Sequence, residues 1–337
     1  MVAGFLSALD ELKLIPRIQL TATTAWNVKS QILRFPEISW IDVSKGAKQD
    51  LFDPSCHECW AGVGDTPLQL SCGDWFLNKM LANTKIISGF SKKVLINIGA
   101  ESEIMSRKED FTSIIKIFDK ISTRDEESTN IIQALLGSES EKVYTASDLA
   151  NISLPMILKD NRCARHYELG LIIANDTFSE CDIEEIGLFI ASSKGIISFI
   201  AGETRKDPSF ERGVYKQLTK GLWSPIKRKA QLCIPPYNTG SLNDLVRPIC
   251  ECNTIISSRY HCLLIAAWAG CRVSAIARSS KVLALAKTLG IPFIPPPITH
   301  EKMRSLQEAS KYVSKDILME LNEKAKLGIE FSLGNRF

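Results

Sequence analysis

The segment Ile255-Ile-Ser-Ser-Arg259-Tyr-His261-Cys-Leu-Leu-Ile-Ala-Ala sets a guanidinium and an imidazole two residues apart inside an otherwise apolar stretch. It reads as a buried strand ending just before Arg259 and a buried helix beginning after it. A helix N-terminus presents backbone N–H groups and a partial positive charge, so it attracts anions. An arginine beside it adds a planar fork that matches phosphate or carboxylate. A histidine two residues on can hold or pass a proton near neutral pH. The same residues also suit an arginine paired to a buried acid and a histidine at a helix end. From residue types alone both readings stay open.

Other residues have chemistry to offer. Gly62-Val-Gly64-Asp65 closes an apolar run with a loop, where the Asp65 carboxylate would orient or deprotonate a hydroxyl, or else cap a helix. Arg124 and Asp125 suit an internal pair or a cap, and Asp148 is equally ambiguous. Lys281 and Arg205 are further cations beyond strand ends. The flat faces of Trp60, Trp75 and Tyr237 could stack on a sugar, although such residues more often serve the core or its rim. Cys56-His57-Glu58-Cys59 has the CxxC spacing of a zinc knuckle or a redox pair. A structural zinc site needs four ligands, usually from a second pair. Cys250 and Cys252 are one residue apart with no histidine at finger spacing, so no metal is expected. The ten cysteines are scattered, which fits reduced thiols in a cytoplasm better than a disulfide framework.

These residues need elements to position them. At about 100–200 residues per domain, 337 residues suggest two domains. Hydrophobic residues at 45% and charged residues at 23% allow each half a core of its own. The net charge of +3, with Lys227-Arg228-Lys229 the densest basic run, does not mark a nucleic-acid binder. The N-terminal sequence lacks a basic leader and carries acids early, so no signal peptide is expected. Tyr260–Ala277 is the most membrane-like window, but it holds Arg272 and divides into a helix and a strand, so it reads as buried core.

Short apolar runs alternate with helical patterns, the signature of βα units and parallel sheets. In the first half, strands are expected over 17–22, 38–43, 94–98 and 143–146, and helices over 68–81, 111–121 and 126–136. In the second half, strands over 168–174, 195–201, 230–234, 254–257 and 272–277 alternate with helices over 183–193, 210–218, 242–250, 260–269 and 282–289. A pair of amphipathic helices over 300–326 ends the chain. The expected fold class is α/β, with two Rossmann-like doubly wound domains facing across a cleft. The expected domains are 1–155 and 156–337, the second carrying the C-terminal helices. In such sheets ligands bind beyond the C-terminal strand ends, where Asp65, Arg259 and Lys281 fall.

The string SSRYHCLLIAAWAGCRVSAIARSSKVLALAKTLGIP resembles the C-terminal signature of the polysaccharide pyruvyl transferase family: a strand, Arg-x-His, an Ala-rich helix, Gly, a strand, Lys and a closing Leu-Gly. Here these are Arg259, His261, Gly270, Lys281 and Leu289-Gly290. Arg124-Asp125-Glu126-Glu127-Ser128, followed by Asp148, resembles the family's RDexS element and its later Asp. Gly62-Val-Gly64-Asp65 resembles its Gly-Asp element. Gly99, followed by Ala100-Glu101, stands where the family often has a glycine run. Some members carry an arginine for the donor after the first strand of the second domain. Asn175-Asp176 occupies that place here, and Arg205 is the nearest basic replacement.

The resemblance implies a cytoplasmic enzyme, with room for association with the inner face of a membrane, of an architecture like that of the GT-B glycosyltransferases. It would transfer a pyruvyl group from phosphoenolpyruvate to a sugar of a cell-surface polysaccharide or its precursor, forming a ketal, with no cofactor and no metal. Arg259, Lys281 and Arg205 are then expected to bind the donor, and His261 and Asp65 to act in catalysis. Gly64, Trp60 and Tyr237 are expected to meet the acceptor, a sugar or lipid-linked oligosaccharide. A lipid-linked acceptor would let the C-terminal helices rest on a membrane, although packing helices are the favoured reading, and a homo-oligomer stays open. Two alternatives use the same residues. One is a GT-B type glycosyltransferase with a nucleotide-sugar donor, and the other is a non-catalytic glycan-binding relative.

Overall fold

The computed structural model describes residues 2–11, 21–24, 39–42, 55, 57–70, 74–159, 163–174, 178–202, 209–220, 226, 228–235 and 242–334. The chain divides into two compact units. The first takes residues 1–27, 34–153 and 319–337, and the second takes 28–33 and 154–318. Both are α/β units built on parallel strands, the fold class expected from the alternating pattern.

In the first unit, β1 (Thr21–Thr24) and β2 (Ser39–Asp42) form a parallel pair of their own. The main sheet holds β3 (Cys59–Val63), β4 (Lys92–Ile98), β5 (Lys120–Thr123) and β6 (Val143–Thr145), side by side in chain order. Parallel neighbours must be joined by crossovers, and these are right-handed almost without exception. A sheet that always advances in one direction therefore stacks its crossover helices on one face. Helices α2 (Trp75–Ile87), α3 (Lys108–Ile115) and α4 (Glu126–Leu136) bury Leu77, Phe111, Ile114 and Ile132 with Leu95 and Ile98 of β4. The alternation of a strand then points Val94 and Ile96 the other way.

That second face is covered by α1 (Val2–Glu11), α5 (Ala150–Lys159) and α12 (Lys315–Leu333). Leu6, Leu9, Ile152, Ala325 and Ile329 pack with Val94 and Ile96. The end of the chain thus returns to the first unit. The expected domain 156–337 is corrected here: residues 319–337 belong to the first unit, because its sheet has an apolar face that its own crossovers leave open.

A buried polar network sets where α12 sits. Asn97 stands at an irregularity between β4 and β5 with φ of 50°, a left-handed conformation that asparagine tolerates better than most residues. Its Nδ2 donates to the carbonyls of Ser147 (2.8 Å) and Ala325 (2.9 Å), and its Oδ1 accepts from Ser122 Oγ at 2.8 Å. Ser122 Oγ also meets Ser332 Oγ at 2.9 Å, Ser147 Oγ donates to the Leu321 carbonyl, and Asn322 Nδ2 donates to Asn151 O at 2.8 Å. Lys92 Nζ donates to the Leu333 carbonyl, a cation at the helix C-terminus. Gly328 faces Asn97 closely: a Cβ there would stand 2.2 Å from Asn97 Oδ1 and 2.5 Å from Ala146 Cβ.

The second unit carries the sheet β9-β8-β7-β10-β11-β12, formed by β7 (Tyr167–Ile172), β8 (Ile197–Ile200), β9 (Ala230–Cys233), β10 (Cys252–Ser257), β11 (Arg272–Ile276) and β12 (Phe293–Ile294). Counted within the unit this is the order 3-2-1-4-5-6 of a Rossmann sheet. The chain builds outward from β7 to one edge, returns to β10, and builds to the other. Helices α6 (Glu180–Ser192), α7 (Ser209–Leu218) and α11 (His300–Ala309) cover one face with Ile186, Phe189, Val214, Met303 and Leu306. The reversal sends the crossovers through α9 (Tyr260–Trp268) and α10 (Ser280–Thr288) to the opposite face. The helix expected over 242–250 is α8 (Leu242–Cys250).

Two expected helices shift. The pattern over 68–81 becomes a helix only from Trp75, after the N-cap Asp74, and Leu68 instead bridges Ala100 as an extension of the sheet. The pattern over 111–121 breaks after Ile115: Phe118 lies in a turn and Ile121 in β5, and both are buried. Of the strand expected over 17–22, residues 17–20 lie outside the described residues. No described helix is long and apolar enough to cross a membrane.

The close approach of Gly328 gives a test. Alanine favours a helix over glycine by roughly 1 kcal/mol, yet Gly328→Ala should lower stability by about 1–3 kcal/mol through overpacking against Asn97. Chemical denaturation of this variant beside Leu327→Ala, one residue away and 46% exposed, checks it. The Leu327 change should cost well under half as much.

Candidate active site

The reversal of strand order in the second unit parts the loops that leave β7 and β10, and this is where open α/β sheets bind ligands. Ser258, fully buried, ties the two strand ends together. Its N–H donates to Ile172 O at 2.9 Å, its Oγ accepts from Ala174 N at 3.1 Å, and the same Oγ donates to Ile172 O at 3.3 Å. Arg259 follows as the N-cap of α9, with φ −106° and ψ 127°, and makes no side-chain cap hydrogen bond to the helix. Its N–H donates to Ser257 Oγ at 3.0 Å. Its stem runs beside Gly202, beyond β8, where a Cβ would stand 3.4 Å from Arg259 Cγ. Three strand ends therefore surround this arginine. His261, in the first turn of α9, is half-buried, and its ring meets Tyr260 edge-on at 5.3 Å. Because α9 is otherwise buried and apolar, its N-terminus is fixed in place by the core.

Beyond the neighbouring strand β11, Ser279 is the N-cap of α10 and Lys281 lies in its first turn, half-buried. Two helix N-termini and two expected donor-binding cations, Arg259 and Lys281, thus stand at the C-terminal ends of adjacent strands. Arg278, which sequence reasoning missed, is here too, with its Nε donating to the Ser258 carbonyl at 2.9 Å. The signal was present: Arg278 follows β11 at the same spacing, two residues, at which Arg259 follows β10.

In the first unit, Gly64 and Asp65 leave β3 in successive left-handed conformations, φ 64° and 63°. Backbone bonds pin the loop to β4: Gly64 N donates to Ile96 O at 2.8 Å, and Gly99 N to Asp65 O at 2.7 Å. Gly64 is buried and the Asp65 side chain is exposed. Asp65 is not a helix cap, since α2 starts ten residues later, behind its own N-cap Asp74. The Arg124–Ser128 element is internal architecture. Asp125 Oδ1 caps α4 by accepting from Ser128 N at 2.7 Å, and Ser128 Oγ accepts from Ala100 N at 2.9 Å. Arg124 is 5% exposed, pairs with Asp125 at 3.2 Å and lies against Gly99, where a Cβ would stand 2.6 Å from its Cζ. Asp148 Oδ1 accepts from Ala150 N at 2.8 Å, a turn at the head of α5.

Trp60, expected to meet the acceptor, is a packing residue. It sits on β3 before the loop, its ring centroid 5.7 Å from that of Phe118 and against the α2–α3 core. Arg205 and Tyr237 lie outside the described residues, as does the side chain of Trp75. Among the described residues no group of three or more histidine, cysteine or acidic side chains could hold a metal ion, and Cys56 of the CxxC pattern is not among them. Burial pushes the thiol of Cys250 up to about 12 and that of Cys271 up to about 11, and raises Cys252 further. They are protonated core thiols, neither nucleophiles nor ready ligands.

The family model of polysaccharide pyruvyl transferases matches residues 36–280. The chain belongs to that family. The matched span contains Gly64, Asp65, Arg124, Arg259 and His261 and stops one residue before Lys281. Membership of this polysaccharide-modifying family makes the protein a transferase with a sugar acceptor. No curated protein sequence matches it. Among solved structures, UDP-GlcNAc 2-epimerase from Methanocaldococcus jannaschii is similar with a TM-score of 0.63 at 11% identity, over 99% of this chain and 97% of that one. The Neisseria meningitidis UDP-GlcNAc 2-epimerase, bound to UDP-GlcNAc, gives 0.61 at 15% identity over 99% and 96%. Anabaena HepE in complex with UDP gives 0.55 at 9% identity over 98% and 94%. At these identities the likeness is one of fold, so this family member shares its two-unit α/β architecture with these proteins.

The second unit also carries a buried acid at the head of α6. Asp182 completes a capping box with Ser179 at the head of α6, and its Oδ1 accepts from Ile298 N at 2.5 Å. Burial alone would raise this carboxyl. The bonds from Ile298 N–H, Ser179 Oγ and Ser179 N–H outweigh it and hold the pKa below the usual value. A depressed folded-state pKa contributes stability above the unfolded value of about 4. That contribution is lost as pH falls from there through the folded value. Asp182→Asn should therefore cost about 2 kcal/mol at pH 7, the scale of hydrogen bonds to a charged group. Urea titrations at pH 7 and near pH 3 should show the gap between variant and wild type narrowing at the acidic end.

Proposed function

We propose that this family member transfers the pyruvyl group of phosphoenolpyruvate to two hydroxyls of a sugar, forming a cyclic ketal and releasing phosphate. The observation that carries the reading is Arg259 and His261 at the head of buried helix α9, at the strand-order reversal of the second unit. The donor has a carboxylate and a phosphate, so cations and N–H donors must gather around it. Arg259 and the α9 N-terminus supply these beyond β10, with Lys281 beyond β11.

The chemistry then needs a proton. Protonation of the donor's methylene carbon leaves an oxocarbenium-like centre at the neighbouring carbon. One sugar hydroxyl attacks that centre and gives up its proton, the C–O bond to phosphate breaks and phosphate departs, and the second hydroxyl attacks the same carbon, loses its proton and closes the ketal. His261 is the proton-transfer group, because an imidazole can give and take a proton near neutral pH. The exposed carboxylate of Asp65, at a strand end of the first unit, is assigned to an acceptor hydroxyl, and Gly64 provides the tight turn that presents it. Among the solved structures of this fold, the Neisseria epimerase holds UDP-GlcNAc and HepE holds UDP. This makes nucleotide-sugars the informative competitors.

Thermal unfolding with each candidate donor tests the reading. Phosphoenolpyruvate at a hundred times its Kd should add roughly 2.7 kcal/mol to the wild type, and Arg259→Ala should abolish that gain. His261→Gln should keep the protection but slow phosphate release in the presence of a sugar acceptor by about 10²–10⁴-fold. Stabilisation by a UDP-sugar and not by phosphoenolpyruvate would replace pyruvyl transfer with glycosyl transfer in the same fold.

A further inference from the structure

The peptide that joins Ser258 to Arg259 is held on both of its polar sides. Its carbonyl oxygen accepts from Arg278 Nε at 2.9 Å, and its N–H donates to Ser257 Oγ at 3.0 Å. Ser257 Oγ in turn donates to the Arg259 carbonyl at 3.3 Å. A peptide group is planar, so bonding both its carbonyl and its N–H fixes the orientation of the whole plane. That plane sets the direction in which Arg259 leaves β10 and in which the N–H groups at the head of α9 point. Ser257 and Ser258 are both fully buried, while Arg259 and Arg278 are half-buried.

We propose that Arg278 is a positioning residue for Arg259, acting through the Ser258–Arg259 peptide, with Ser257 as the second half of the clamp. The inference rests on the reading of Arg259 as a donor-binding group and adds a coupling between the loops beyond β10 and β11. The backbone of Arg278 is itself anchored. Its own N–H donates to Ile276 O at 2.9 Å, and the preceding Ala277 N–H donates to Ile294 O at 2.8 Å, so the residue stands on a backbone tied to the edge strand β12. A lysine in its place keeps the positive charge and can make one bond to the carbonyl, but lacks the planar, fixed donor. A methionine keeps the stem alone.

The decisive experiment is a double-mutant cycle read by the Kd for phosphoenolpyruvate, with unliganded melting temperatures measured alongside. Arg278→Met should weaken binding about tenfold in the wild-type background and Arg278→Lys by less. In an Arg259→Lys background, where the fork that needs aiming is gone, Arg278→Met should change the Kd by less than about twofold. Ser257→Ala should repeat the pattern, which guards against a poorly folded Arg278 variant. Equal losses in both backgrounds would make Arg278 an independent donor contact and overturn the positioning role. Unchanged Kd values with a lowered melting temperature would make it a structural residue only, leaving the donor reading intact. Failure of the wild type to bind phosphoenolpyruvate would overturn the donor reading and this inference together.

Discussion

The first unit is shaped by a sheet whose strands lie in chain order. Four parallel strands advancing in one direction, joined by right-handed crossovers, stack every crossover helix on one side. The sheet nevertheless points Val94 and Ile96 out of its other side, and apolar surface left in water costs about 25 cal/mol per Å². The remedy comes from outside the crossovers: α1 from the start of the chain and α12 from its end. A helix docked only by greasy contacts can slide along its axis, since apolar contact is not directional. The amide of Asn97, reaching the Ala325 carbonyl beside Gly328, gives α12 a register as well as a place.

The second unit meets the same handedness rule differently. Its sheet reverses between β7 and β10, so the crossovers leaving these two strands run in opposite directions and put helices on both faces, with α11 completing one of them. The by-product of that economy is a gap between two diverging loops, and the chain sets Arg259 and His261 there. Ser258 keeps the gap from spreading by bonding to both Ile172 and Ala174. Core packing and site geometry are in this sense one requirement, since the strand order that closes the core also sets the edge at which the donor site is proposed.

The local elements were legible where composition carried direct physical signals. The helix expected over 126–136 is found at those residues, because Asp125 followed by Ser128 is a capping pattern and Gly137 a stop. The strands around Ile255 and Val273 are runs of buried apolar residues with nothing helical about their length. The failures have physical causes too. Phe118 and Ile121 continue the periodicity of α3 although they belong to a turn and the next strand, and periodicity records burial, not its backbone. The return of α12 to the first unit could not be read locally. Its amphipathic pattern says that it must cover something, and only the topology of the distant sheet says what. The Arg-x-His segment stands out in the sequence by its residue types, while Arg278, at the equivalent spacing after its strand, stands alone.

The two arginine motifs of the family resemblance show how structure separates chemistry from architecture. Arg124-Asp125 and Arg259-x-His261 look equally reactive as text. In the fold, Arg124 is buried against Gly99 and paired with Asp125, while Asp125 caps α4 and Ser128 bonds α4 to the backbone just after β4. A substrate could reach that guanidinium only by displacing the loop that holds it. Arg259 is only half-buried, at a helix head its side chain does not cap, and it is the backbone around it that is bonded tightly. A binding residue needs this division of labour. If its side chain supplied the structure, a ligand would have to break the fold to bind, whereas a rigid backbone beneath it lets binding energy go to the ligand.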